Sequence, residues 1–312
     1  MNYDDLIDPE TWAFIRKTER FYPVETIDYT IAQQRRVYDD MCQAFAQDHP
    51  AGVMSSDSDM NGVPVRIYTK GTAQVTVIYF HGGGFVVGGL DSHDDVCAEI
   101  CDQTGFRVVS CDYRLAPEFK HPAMFNDAKA TAIQTLASFD GPVVLCGDSA
   151  GGNLAAAVAH ALRGVTDRII GQVLIYPALG GDTNAGSYID HANAPMLRRE
   201  DIAFYADIRT SGGAPTDDAT FAPLHDTDFS NLPPTVIISA QCDPLSDDGR
   251  DYRDAILAAQ GRAVWFNETG LVHGYLRARH AATRAQESFA RIVHAIGVLG
   301  RADWPFDAHK NC

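Results

Sequence analysis

Lysine and glutamate are scarce in this chain. Only 5 of its 25 basic residues are Lys, and only 8 of its 41 acidic residues are Glu, against 33 Asp. The balance, 25 − 41, is −16 with a pI near 4.9. A field of that sign repels nucleic acid and anionic membrane surfaces, so neither is expected as a partner. An Asp-rich, Lys-poor surface reads either as salt tolerance or as lineage composition. No apolar run approaches the roughly 18–20 residues of a spanning helix. The start, MNYDDLIDPE, is acidic where a secretory signal is basic and then apolar. The seven cysteines, Cys42, Cys97, Cys101, Cys111, Cys146, Cys242 and Cys312, include no CxxC pair. Free thiols in a reducing compartment, and hence a cytoplasmic protein, are the expectation. His121, His191 and His225 are isolated and lack ligand spacing, so neither metal nor cofactor is expected.

What is present is apolar and long. The 312 residues, 46% of them hydrophobic, suffice for one large core or one domain with a small accessory. Residues 1–50 read as helical. Asp8-Pro9 opens a segment carrying Trp12, Phe14 and Ile15, and Phe21-Tyr22-Pro23 closes it; a second stretch runs from Thr30 to Gln47. Val63, Val65 and Ile67 alternate behind an Asn61-Gly62 turn, the pattern of a hairpin strand. From Gly71 onward, short apolar runs appear at 75–80, 107–111, 143–146, 173–176, 236–239 and 263–266. Helical stretches at about 92–104, 122–138, 150–163, 246–260 and 279–299 separate them. That alternation predicts an α/β fold with a mostly parallel, doubly wound sheet covered on both faces. Residues 180–234 are too long for a simple crossover. They begin as Gly/Asn/Asp-rich loop and include a helix candidate at Met196–Ile208.

Gly147-Asp148-Ser149-Ala150-Gly151 follows the run 143–146 and opens an Ala-rich helix. GxSxG alone is weak and also describes a Gly-rich turn with a capping Ser. Between strand and helix it matches a nucleophile elbow, whose sharp turn needs small neighbours. His81-Gly82-Gly83-Gly84-Phe85 follows the run 75–80. Backbone amides of Gly83 and Gly84, with that of Ala150, would meet the charge on a tetrahedral intermediate. A phosphate cradle is the competing reading, and it fails because no GxGxxG spacing follows. A serine needs a base, and the base an orienting acid, in the chain order Ser, acid, His. His273, in Gly270-Leu271-Val272-His273-Gly274-Tyr275, follows the run 263–266, whereas His280 and His294 fall on the last helix and His309 in the tail. Asp243, before Pro244, stands just past the run 236–239. Asp247 and Asp248 read as helix N-terminal acids, Asp247 being the next candidate, and the Asp148 side chain should point away from Ser149.

The motifs HGGGF at 81–85, YRLAPE at 113–118, GDSAGGN at 147–153, LPP at 232–234, DPL at 243–245 and HGY at 273–275 resemble the hormone-sensitive-lipase-like family of α/β-hydrolase esterases. The resemblance covers roughly residues 60–300, with Tyr275 where the family often has Phe. It implies the α/β-hydrolase fold and a carboxylic-ester hydrolase with Ser149 as nucleophile, His273 as base and Asp243 as its partner. It also implies a helical cap formed by residues 1–50 and an insertion at about 180–215, on a catalytic domain of 51–312. Arg114 and Glu118 should pin the oxyanion loop. The expected substrates are short- to medium-chain esters, and the expected assembly is a homodimer. Amide, lactone or carbamate hydrolysis by the same machinery is the alternative. A non-catalytic receptor like those for plant gibberellins, which lack the catalytic His, is disfavoured by His273. Trp12, Phe14, Phe21, Tyr22, Met196, Phe204 and Tyr205 are expected to roof the pocket, the competing reading being that they pack helices onto the core.

Overall fold

Asn61 and Gly62 both have positive φ, 59° and 85°, as a two-residue hairpin turn requires. They join β1 (Met54–Met60) to β2 (Val63–Thr69) antiparallel, with Met60 opposite Val63. This is a computed structural model, and it describes residues 1–306 apart from Ser211, Gly212, Ala214 and Thr216. The expectations for His309 and Cys312, and part of the 180–215 insertion, lie outside the described residues. Six further strands follow: β3 (Thr76–Phe80), β4 (Arg107–Cys111), β5 (Val143–Asp148), β6 (Ile169–Ile175), β7 (Thr235–Cys242) and β8 (Ala263–Val272). The sheet order is β1-β2-β4-β3-β5-β6-β7-β8, parallel from β4 to β8.

The helices are α1 (Pro9–Phe21), α2 (Ile31–Phe45), α3 (Asp94–Thr104), α4 (Ala123–Ser138), α5 (Ala150–Leu162), α6 (Ser187–Asp190), α7 (Arg199–Arg209), α8 (Ser246–Ala258) and α9 (Thr283–Gly300). Strand side chains alternate between faces. Val77 and Tyr79 enter one cluster with residues of α1, α2, α3 and α9, while Ile78 and Phe80 enter another with residues of α4, α5 and α8. Coverage on both faces is why the central strands are continuous apolar runs. Asp8 caps α1 by accepting the Thr11 amide at 2.8 Å, with Pro9 in the first turn. Phe14 and Ile15 are buried in the main core, so this helix is not merely an appendage.

β8 runs six residues past the apolar segment that reveals it, to Val272. Its continuation, Asn267-Glu268-Thr269, is polar because β8 is an edge strand with one open side. Pairing with β7 decides its length, Ser239 lying opposite Asn267 and Cys242 opposite Val272. That extension delivers His273 directly off the end of the strand. Among the described residues, no helix is long and apolar enough to cross a membrane.

Candidate active site

Ser149 sits between β5 and α5 with φ 56° and ψ −117°, a conformation that costs a non-glycine residue on the order of 1–3 kcal/mol. Its neighbours must be small. A Cβ on Gly147 would run into the Gly151 carbonyl oxygen, and one on Gly151 into that of Phe80. The turn is over-determined by hydrogen bonds: the Ser149 amide donates to the Ile175 carbonyl at 2.8 Å, and its own carbonyl accepts from Asn153 at 3.1 Å.

Asp243 and His273 leave the ends of the adjacent strands β7 and β8, and converge on Ser149. His273 Nε2 lies 2.8 Å from Ser149 Oγ, and Nδ1 lies 2.7 Å from Asp243 Oδ2. A carboxylate can only accept, so Nδ1 carries the proton and Nε2 is free to accept from the serine hydroxyl. Asp243 is completely buried, and its other oxygen accepts the Leu245 amide at 2.9 Å. The Tyr176 ring, centred 4.8 Å from the imidazole, restrains the face of His273. Asp247 points elsewhere, accepting the Ser187 amide at 3.0 Å and an Arg250 N–H at 2.8 Å.

The HGGGF loop is tied down from four sides. Tyr113 Oη donates to the His81 carbonyl at 2.7 Å, and the Ala116 amide to that of Phe85 at 2.8 Å. Arg35 Nε donates to the Val86 carbonyl at 2.9 Å, and the Gly82 amide donates to Asp148 Oδ1 at 3.0 Å. Among the described residues the amides of Gly83 and Gly84 donate to no protein acceptor, and both glycines line the cavity that contains Ser149, Ala150 and His273. Gly83 and Gly84 have φ of 125° and 59°. A Cβ on Gly84 would fall within 2.5 Å of the Tyr205 ring. His81 stacks on Tyr113 at 4.2 Å, and burial pulls its pKa down to about 3, so it stays neutral.

Two expectations change here. Among the described residues Arg114 makes no hydrogen bond to the loop: its backbone amide, Nε and Nη2 all donate to Asp127 on α4, at 2.7–2.9 Å. Among the described residues the Glu118 side chain bonds only Arg35, accepting from it at 2.7 and 2.9 Å. Asp148 does point away from Ser149, into a buried network. It accepts from Tyr79 Oη at 2.8 Å and faces His93 at 3.2 Å. Burial opposes its ionisation, yet His93, Tyr79 and Arg277 outweigh that and hold its pKa below the usual carboxylate range. Asp248 stands in the first turn of α8 as expected, but its buried side chain reaches the loop after β6. There it accepts the amides of Leu179 at 2.7 Å and Gly180 at 3.1 Å. Among the described residues no cation pairs with it, and burial pushes its pKa up to about 7 against the pull of those amides.

The cavity beside Ser149 holds about 680 Å³, ample for a small ligand. Of the seven roofing residues expected, Trp12, Tyr22, Met196, Phe204 and Tyr205 line it; Phe14 is core and Phe21 is solvent-exposed. Sequence reasoning missed Arg35, Arg209 and Arg277. Arg277 lines the cavity and donates to Tyr38 Oη at 2.7 Å. None of the three falls in a motif or an apolar period that could have flagged it. Among the described residues, no group of His, Cys, Asp or Glu is arranged to hold a metal ion.

This geometry has relatives. A family described as the alpha/beta hydrolase fold matches residues 77–277. Carboxylesterase NlhH of Mycobacterium tuberculosis is 36% identical over 260 residues, 76% of this chain and 80% of its own. Among solved structures, a bacterial heroin esterase superposes with a TM-score of 0.86 at 26% identity, over 96% of this chain and 98% of its own. An esterase of the archaeon Pyrobaculum calidifontis gives 0.84 at 28% identity, over 94% and 98%. The chain belongs to the hormone-sensitive-lipase-like carboxylesterase family of the α/β-hydrolase fold.

Proposed function

We propose that the protein is a cofactor-free serine carboxylesterase for short- to medium-chain esters, with Ser149, His273 and Asp243 as its catalytic residues. The observation that carries this reading is the unbroken hydrogen-bond chain from buried Asp243 through His273 to a strained, cavity-facing Ser149. Ser149 Oγ adds to the ester carbonyl carbon as its proton passes to His273 Nε2. The carbonyl oxygen becomes an oxyanion among the amides of Gly83, Gly84 and Ala150. Collapse breaks the bond to the alcohol oxygen, which leaves with the proton from His273. Water then repeats the sequence on the acyl-enzyme, releasing the acid and restoring the serine hydroxyl.

In the same reading, residues 1–50 and about 180–215 form a cap over the catalytic domain of 51–312, which the lining by Trp12, Tyr22 and Tyr205 supports. A cytoplasmic location is supported by six buried free thiols among the described residues. A homodimer is supported by the open edge of β8, whose unpaired ladder offers a second copy a docking line.

Hydrolysis of nitrophenyl esters of increasing acyl length tests the function. An organophosphate should abolish turnover and leave one adduct on Ser149 by mass spectrometry, while a chelator should have no effect. Loss of activity with the chelator, restored by zinc, would overturn the serine mechanism.

A further inference from the structure

The cavity wall contains a cation that ester hydrolysis leaves unused. Arg209, the last residue of α7, is 3% exposed. Its guanidinium lies between two aromatic rings, 3.7 Å from the centre of Phe85 and 4.3 Å from that of Phe221. Nη1 donates to the Phe221 carbonyl at 3.2 Å and Nη2 to Asn153 Oδ1 at 3.4 Å, while Nε has no acceptor. Among the described residues no carboxylate forms an ion pair with it. Asp218, which acts on Arg209 through space, spends its oxygens on His121 at 2.9 Å and Thr220 at 2.6 Å. Burying a cation without a counter-charge is costly. Burial pulls the Arg209 pKa down to about 9, which still leaves it charged at neutral pH.

Its position relates this charge to the ester. Phe85 adjoins Gly84, and Asn153 stands four residues beyond Ser149, about 6 Å along α5. Arg209 therefore joins the loop to the elbow at the wall of the cavity that Ser149 also lines. We infer that Arg209 forms a subsite for the carboxylate of an ester that carries one, either on a short dicarboxylic acyl group or on the alcohol. This rests on the esterase reading. The incoming carboxylate supplies the absent counter-charge, in a place where it is worth more than in water.

The net charge of −16 opposes such a substrate at a distance. Salt removes that opposition, because exposed charges are screened over about 8 Å at 0.15 M, whereas a buried pair is screened far less. The preference for a carboxylate ester should therefore rise with ionic strength.

Monoethyl succinate against ethyl pentanoate tests the acyl side, and O-butyryl glycolate against propyl butyrate tests the alcohol side. In the wild type at least one carboxylate ester should exceed its neutral counterpart in kcat/KM by about tenfold to a hundredfold, the range of a charge-assisted hydrogen bond. Arg209→Met should collapse that ratio and Arg209→Lys should keep part of it. A purely structural Arg209 would lower charged and neutral esters together. Wild-type ratios at or below one on both sides would overturn the subsite, as would an unchanged ratio in folded Arg209→Met. If that variant does not fold, the wild-type ratios and their rise with salt decide. Failure to hydrolyse any ester, charged or neutral, would count against the esterase reading instead. Calorimetric binding of glutarate against pentanoate would then read the subsite, and equal binding of the two would overturn it.

Discussion

The Asp148 carboxylate accepts the Gly82 amide at 3.0 Å, so the residue before Ser149 holds the loop that carries Gly83 and Gly84. One buried anion thus couples the proposed nucleophile to the glycine loop. Asp148→Asn keeps the shape and removes the charge that His93 and Arg277 face. We expect a stability loss of about 2 kcal/mol, because the bonds from Tyr79 Oη and the Gly82 amide lose a charged acceptor. Urea unfolding reads the loss, and kcat should fall more than KM rises. Unchanged kcat would mean that the loop is held without Asp148.

Ser149→Ala should remove nearly all turnover with the fold intact by circular dichroism. Asp243→Asn should lower kcat by about 10⁴, as loss of the orienting acid does in serine proteases. The Ser149 and His273 losses should be far from additive, since the residues act as a unit. Near-full activity in Asp243→Asn would remove it as the orienting acid.

Gly84→Ala places a methyl against the Tyr205 ring at a positive φ. Displacing one oxyanion donor costs roughly 2.7–4 kcal/mol of transition-state stabilisation, read as a drop in kcat. Tyr205→Ala in the same chain removes the collision but not the backbone strain, so the double variant should recover part of the loss. No recovery would place the damage elsewhere, at the φ alone.

Asp248 gives a pH dependence whose sign follows from its raised pKa of about 7. The folded state holds this proton more tightly than the unfolded chain, so the stabilisation is complete below the ordinary value near 3.8 and is lost as pH rises through about 7. Over that window the loss amounts to about 4 kcal/mol, from 1.36 kcal/mol per pKa unit. Thermal melts from pH 4 to 8 should show it, and Asp248→Asn should flatten the curve. An equal slope in the variant would assign the dependence to another group.

Tyr22 and Tyr205 both line the cavity. Replacing either with Ala should move the preference toward longer acyl chains, since an added methylene gains about 0.8 kcal/mol while it fits. Deleting residues 1–30 should also lower stability, because Phe14 and Ile15 leave the core. A wild-type protein that preferred long-chain triglyceride emulsions to short soluble esters would contradict a roofed pocket.

The amino-acid sequence by itself determined the parallel sheet, the elbow at Ser149 and the chain order of Ser149, Asp243 and His273. Those features are local: apolar runs of strand length, small residues at a strand-to-helix turn, and a Pro after Asp243. Asn61-Gly62 announced its hairpin because only residues tolerant of positive φ make that turn. The end of β8 was not legible, since an edge strand keeps its pairing through Asn267-Glu268-Thr269 without any apolar signature. Tertiary structure alone decided the rest. Asp248 meets Leu179 across 69 residues, Arg35 meets Val86 across 51, and Arg209 meets Asn153 across 56. A buried charge has no periodicity to betray it. Its partners are whatever backbone and side-chain groups the fold brings within hydrogen-bond reach, and that is settled only when the loops at the carboxyl ends of the strands close over one cavity.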